Sequence, residues 1–174
     1  MIDNKVAKSG LITIDLKTYL DPAPVAEFDL KDYLYMEYVL REKDFREALG
    51  QHDWKQYRNK NLAVFCSTDA IIASWAYMLV ATYAAGTARN VWFGNKPDVW
   101  LEAYRAGLEK EDWSRFAGKR VLLKGCSDVQ MPPGVYLYAA NRLLPVVDRL
   151  MYGEACSFVP VYRKSKNKTA AAVE

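Results

Sequence analysis

The chain has 174 residues, 51% hydrophobic and 26% charged, a composition that supports a buried core and excludes a disordered or fibrous protein. The net charge is +3. Arg163, Lys164, Lys166 and Lys168 concentrate positive charge in the C-terminal tail, and the near-neutral remainder argues against a dedicated nucleic-acid binder.

Residues 1–10 are polar, lack the apolar stretch of a secretory leader and read as a loose arm. Residues 11–16 (LITIDL) alternate apolar and polar side chains, as a half-buried strand does. The segment 21–24 (DPAP) is a stop and turn, and 25–30 a short extended piece. A long helical stretch is expected over 31–49, with Leu34, Val39, Phe45 and Leu49 at mixed helical spacings and Gly50 closing it. From Asn61 the pattern becomes α/β. Residues 62–65 (LAVF) form a continuous apolar strand, and 70–85 a helix that is apolar on nearly every face. The uncharged run 70–88 approaches membrane length, but Ser74, Thr82, Gly86 and Thr87 interrupt it and strands lie close on both sides, so it reads as a buried helix rather than a span.

A second strand follows at 91–93, an amphipathic helix near 98–108 and a third strand at 121–123. Residues 135–151 read as a helix that Pro145 kinks or splits. Residues 158–162 are a last strand, placed at a sheet edge by Pro160. The fold class is therefore α/β: a single domain over 1–174 with a mostly parallel sheet, helices on both faces, a last strand free to run antiparallel at an edge, a small N-terminal β/α extension and a basic tail over 163–174.

The chain echoes itself. Residues 53–67 and 112–127 both read D-W-x-x-aromatic-x-x-K-x, then an apolar strand, then Cys-Ser; the second copy is one residue longer. An acid follows each time, as Asp69 and Asp128. Such a repeat predicts two equivalent βα units, with the Trp and the later ring packing at the strand entrance. Packing does not require Cys-Ser at both strand ends. The third cysteine repeats the dipeptide at Cys156-Ser157, after Glu154.

The carboxyl ends of parallel strands form the ligand-binding edge of an α/β sheet. Cys66 and Cys126 fall there on this reading, Cys66 just ahead of a helix N-terminus with Ser67 or Asp69 as cap. Cys156 joins them if Pro145 breaks its helix and the last strand runs antiparallel. Three thiolates, with Asp69, Asp128 or Glu154 as fourth ligand or in support, suit zinc or an iron–sulfur cluster. The competing readings are a reactive thiol at Cys66 and three inert buried cysteines. Three cysteines cannot close a set of internal disulfides, which points to a reducing cytoplasm. The single histidine, His52, excludes polyhistidine metal sites and is ordinary at a helix end. The charge run 41–46 reads as a solvated helix face. No GxGxxG or P-loop occurs among the nine glycines.

The segments KVAKSGLITIDL (5–16), LREKDFR (40–46), DAIIASWAYMLVAT (69–82), KGCSD (124–128) and LMYGEACSFVPVYRK (150–164) resemble a Bacteroidetes family catalogued as domain of unknown function 2480. That resemblance implies a gene neighbourhood beside SUF-type iron–sulfur assembly genes, and hence a partner in cluster biogenesis. The stretch 62–94 is similar to the active-site segment of rhodanese-type sulfurtransferases, but Ser67-Thr68-Asp69 puts an acid where their persulfide loop is rich in glycine and arginine. The leading expectation is a cytoplasmic, non-catalytic accessory protein of metal or cluster handling, with Cys66, Cys126 and Cys156 as ligands and SUF-type proteins as partners. The alternatives are a persulfide sulfurtransferase using Cys66, or a protein–protein module with structural cysteines. The aromatic content permits a homodimer, and neither a membrane nor a nucleic-acid partner is expected.

Overall fold

The computed structural model describes residues 10–125 and 131–165. In chain order the elements are β1 (Leu11–Ile14), β2 (Val25–Asp29), α1 (Glu42–Gln51), β3 (Asn61–Phe65), α2 (Ser74–Ala84), β4 (Asn90–Phe93), α3 (Lys96–Leu108), β5 (Arg120–Lys124), α4 (Pro133–Leu143), β6 (Arg149–Glu154) and β7 (Ser157–Arg163). Single-turn 3-10 helices lie at Leu16–Tyr19, Leu30–Tyr33, Trp54–Tyr57 and Trp113–Phe116.

Two short sequence devices build most of this. The first is Asp-Leu-Lys-x-Tyr, at 15–19 and 29–33. The aspartate follows β1 in the first copy and ends β2 in the second, and its carboxylate accepts the backbone N–H two residues on, Lys17 at 3.1 Å and Lys31 at 3.0 Å. That bond opens the 3-10 turn and drives a leucine, Leu16 or Leu30, into full burial. The second device is Asp-Trp-x-x-aromatic. Asp53 and Asp112 cap the next 3-10 turns in the same way. The indole N–H of Trp54 donates to the Leu49 carbonyl at 2.8 Å and that of Trp113 to the Leu108 carbonyl at 3.2 Å, satisfying carbonyls that the ends of α1 and α3 leave open.

The chain divides into two compact units: a continuous one, Asp21–Ala103, and a split one, Met1–Leu20 with Tyr104–Glu174. The continuous unit holds a three-stranded sheet, β2-β3-β4, all parallel. The split unit holds β1-β5-β6-β7, in which the first three strands are parallel and β7 pairs antiparallel with β6. The core of the continuous unit gathers Phe28, Leu30, Phe45, Leu49, Leu62, Val64 and Val80. Each such side chain, fully buried, contributes roughly 1.5–3 kcal/mol. In the split unit Leu16, Leu108, Phe116, Val121, Val135, Leu143 and Leu150 are buried.

The two units are copies. Trp54–Tyr57 answers to Trp113–Phe116, β3 to β5, α2 to α4 and β4 to β6, all at one constant spacing. The correspondence continues to single residues. Leu49 and Leu108 receive the tryptophan N–H, so Phe45 and Tyr104, four residues earlier, are counterparts. Asn59 and Gly118 both take the left-handed backbone before their strands, at φ 60° and 67°. The repeat expected over 53–67 and 112–127 thus reaches much further, and its gap-free register pairs Cys66 with Gly125 rather than with Cys126. Among the described elements only β7 has no counterpart.

The mostly parallel α/β architecture and the antiparallel edge strand hold, with several corrections. The N-terminal strand β1 pairs with β5 and so belongs to the split unit's sheet. The helix expected over 31–49 is confined to Glu42–Gln51. Before it, Met36 and Glu37 adopt φ of 48° and 66°, and the turn they make bridges Tyr35 to Val39. Gly50 lies within α1 and does not end it. Pro145 does not kink a helix over 135–151: α4 stops at Leu143, and Arg149–Glu154 is strand β6. Arg163 closes β7, while the loose arm and residues 166–174 lie outside the described residues. Among the described residues no helix is long and apolar enough to cross a membrane.

Candidate functional site

Each unit turns the carboxyl ends of its parallel strands into a small edge, and the sequence builds the two edges differently. In the continuous unit Asp29 ends β2. Its Oδ1 accepts the backbone N–H groups of Lys31 and Ser67, both at 3.0 Å, and Lys31 Nζ lies 3.6 Å from Oδ2. Burial opposes the charge, but the bonds from Ser67 and Lys31 outweigh it and hold the carboxyl below its usual range. This ties the exit of β3 to the end of β2.

Cys66 is the first residue after β3. It is half-buried, packs partly against the unit's core, carries a free thiol, and its Sγ lies 3.3 Å from Thr68 Oγ1. Tyr77 on α2 faces Phe93 at the end of β4, the rings 5.3 Å apart and crossed at 76°. Burial, with the Cys66 sulfur nearby, pushes the Tyr77 hydroxyl above its usual range. Cys66 does not sit at a helix N-terminus: α2 begins at Ser74, and its cap position is Ala73, with no side-chain bond. Neither Ser67 nor Asp69 caps it. The short, uncapped approach 66–73 separates thiol from helix, so the helix-dipole activation expected of a Cys66 nucleophile has no structural basis.

In the split unit Asp15 takes the place of Asp29. Its Oδ2 lies 3.4 Å from Lys124 Nζ, at the end of β5 where the other unit has Phe65. Tyr136 on α4 answers to Tyr77. Its hydroxyl donates to the Lys124 carbonyl at 3.4 Å, and its ring meets Tyr152 at 5.3 Å and 84°. Burial and the neighbouring Tyr152, Tyr104 and Asp15 push the Tyr136 hydroxyl up. A Cβ at Gly125 would lie 3.0 Å from Tyr152 Cζ and 3.1 Å from Gly153 Cα. The phenol therefore occupies the space that a side chain takes in the other copy, where Cys66 stands and Phe93 is turned out to 73% exposure.

Of the sequence-predicted ligands, Cys66 and exposed Asp69 belong to the continuous unit. Glu154 ends β6, and Cys156 is a free, exposed thiol in the two-residue turn between β6 and β7, both in the split unit. Cys126 and Asp128 lie outside the described residues. Among the described residues no group of three or more His, Cys, Asp and Glu side chains is placed to hold a metal ion.

Sequence reasoning passes over Asp15, Asp29, Tyr77, Tyr136 and Tyr152; the repeated Asp-Leu-Lys-x-Tyr is the signal for the first two. His52, ordinary in the sequence, is held on several sides in the fold. The ring stacks on Tyr57 at 5.5 Å and meets Phe28 edge-on at 5.3 Å. Tyr33 Oη lies 3.2 Å from Nδ1 and Tyr57 Oη 3.1 Å from Nε2. In the other copy Tyr19 donates to Glu111 instead.

Residues 1–164 match the family described as protein of unknown function (DUF2480). The chain belongs to the DUF2480 family. No curated protein and no solved structure matches it. In this DUF2480 chain each edge presents its own groups, Cys66 in the continuous unit and Tyr136 with Tyr152 in the split one.

Proposed function

We propose that the chain is a non-catalytic accessory protein of metal or iron–sulfur cluster handling in the cytoplasm, with zinc, iron or a cluster as cargo. The observation that supports this is the position of two thiols. Free cysteine is among the most buried residue types, yet Cys66 stands at the carboxyl edge of a parallel sheet and Cys156 is exposed in a hairpin turn. Cys66 is half-buried and packs partly against the unit's core, whereas Cys156 is exposed and open to another protein. On this reading Cys66, Cys126 and Cys156 are each candidate thiolate ligands, with Asp69, Asp128 and Glu154 in support and a SUF-type partner supplying the remaining ligands. Thiolates from two proteins on one metal ion would suit a cargo that is passed on.

The test is anaerobic purification from iron-replete cells, with zinc, iron and acid-labile sulfide measured beside the visible spectrum. Stoichiometric metal that falls in the Cys66→Ala and Cys126→Ala variants is expected. Metal-free protein, together with partner binding that survives the triple Cys→Ala variant, would remove the reading. A second reading, a protein–protein module, is favoured by the turn at Tyr35–Val39. Met36 and Tyr38 there are 71% and 74% exposed, and Met36 takes a left-handed backbone that bulky residues rarely adopt.

A further inference from the structure

The split unit holds an apolar groove walled in part by β7, a strand without a counterpart among the described elements of the other unit. It lies against α4, β6 and β7 and encloses about 510 Å³, within the range of small-molecule pockets, roughly 300–1,000 Å³. Leu123, Met131, Leu150 and Met151 line its buried side, and Leu137 and Val161, 65% and 56% exposed, stand at its surface. Tyr136 and Tyr152 add the only hydroxyls in this lining.

Duplication shows what the fold itself requires here. The continuous unit has no described counterpart of β7 and has Phe93 where the split unit has Tyr152. Both the wall built by β7 and the second hydroxyl are therefore additions to a fold that is complete without them. The outer strand is poorly suited to adding a strand from another protein: Pro160 withholds a ladder donor, and the pairing slips between Leu150 and Met151.

We propose that this groove binds a small amphiphile, an apolar body with a terminal oxyanion, of which a medium-chain carboxylate is the simplest case. The apolar body lies along Leu123, Leu150 and Val161, and the oxyanion accepts hydrogen bonds from Tyr136 and Tyr152. The bond that Tyr136 makes to the Lys124 carbonyl is long, at 3.4 Å, and is readily exchanged for one to a charged acceptor. Like any phenol it is protonated at neutral pH, so it remains a donor. An ammonium headgroup offers no acceptor to these two O–H donors.

The experiment is calorimetric titration of the full chain with decanoate and, separately, with decylammonium, at pH 7.5. Saturable one-to-one binding of decanoate is expected, and much weaker binding of decylammonium. Tyr152→Phe, which installs the ring already present at Phe93, is expected to weaken decanoate about 3- to 10-fold, the worth of one hydrogen bond, and to leave decylammonium unchanged. Leu137→Asp and Val161→Asp change exposed side chains and should keep the wild-type melting profile while abolishing binding. No saturable decanoate binding by about 1 mM, or equal affinity for the two headgroups, overturns the proposal. So does light scattering in which wild type is a dimer and Leu137→Asp a monomer, because a second copy then covers the groove.

Discussion

Tyr104 gives the sharpest test of the duplicated architecture. It is fully buried on α3, its hydroxyl has no hydrogen-bond partner among the described residues, and its counterpart in the other unit is Phe45, 1% exposed. A buried hydroxyl without a partner costs about 1–3 kcal/mol. Removing the oxygen leaves a void of roughly 10–15 Å³, and at about 24 cal/mol per Å³ that returns only some 0.3 kcal/mol. Tyr104→Phe should therefore stabilise the protein by about 1–2 kcal/mol, raising the melting temperature by roughly 2–8 °C for a chain of this size. The reverse change, Phe45→Tyr, puts a hydroxyl into a filled core and should destabilise by about 1–3 kcal/mol. Urea unfolding of the two variants beside wild type measures both. A loss of stability in Tyr104→Phe would mean that the hydroxyl is bonded in the native protein, and that Phe45 is no guide to what this position needs.

The polar contacts give further expected outcomes. Burial lowers the pKa of His52 despite the opposing pull of Asp53, so its contribution to stability is complete above about pH 6.5 and is lost as the pH falls through the lowered folded value. His52→Gln should flatten the decline of the urea midpoint between pH 7.5 and pH 5, and an unchanged slope would assign that decline to other groups. The lowered pKa of Asp29 has the opposite charge logic but the same window side: its stabilisation is present above the usual carboxylate range and fades as acid protonates it. Asp29→Asn should cost about 1–2 kcal/mol, from the weakened bonds to Lys31 and Ser67, and should speed labelling of Cys66 by a thiol reagent at pH 7.5. Unchanged labelling would show that Asp29 does not hold the exit of β3.

The parallel α/β framework is legible because buried strands and helices alternate strongly from Asn61 onward, and because Pro160 marks an edge. Residues 31–41 mislead for a definite reason. Left-handed turns are signalled by Gly or Asn, and here Met36 and Glu37 take that backbone, leaving an apolar spacing that imitates a helix. Strand β6 is hidden because Arg149–Glu154 continues an apolar run that begins in α4, and a proline inside such a run marks a break without specifying the next element. The site is legible in part. Cys66 is placed at a strand end as the repeat implies, but the repeated Cys-Ser dipeptides outshine the tyrosines and aspartates that lie at both edges. Their role depends on pairings such as Asp29 with Ser67, across 38 residues, which no local spacing reveals.

Two copies of one unit separate what folding needs from what it does not. Asp15 and Asp29, Trp54 and Trp113, Tyr77 and Tyr136, and Gly94 and Gly153 recur because each closes a turn, caps a helix or packs a strand end. Where the copies differ in chemistry, the fold accepts either residue, and the difference is free to serve function. The pair Cys66 and Gly125 is the decisive case. One copy keeps a thiol at the strand end and turns Phe93 outward; the other removes the side chain and lays Tyr152 over the gap. Gly125→Ala would bring a Cβ to 3.0 Å from the Tyr152 ring and 3.1 Å from the Gly153 backbone, so the ring must swing away. The expected result is a loss of about 1 kcal/mol in stability and a fall in decanoate affinity matching that of Tyr152→Phe. Cys66→Gly, in the other unit, should leave decanoate binding untouched. Unaltered affinity in Gly125→Ala would separate the tyrosine from the groove, and the exchange of thiol for phenol would then be a matter of packing alone.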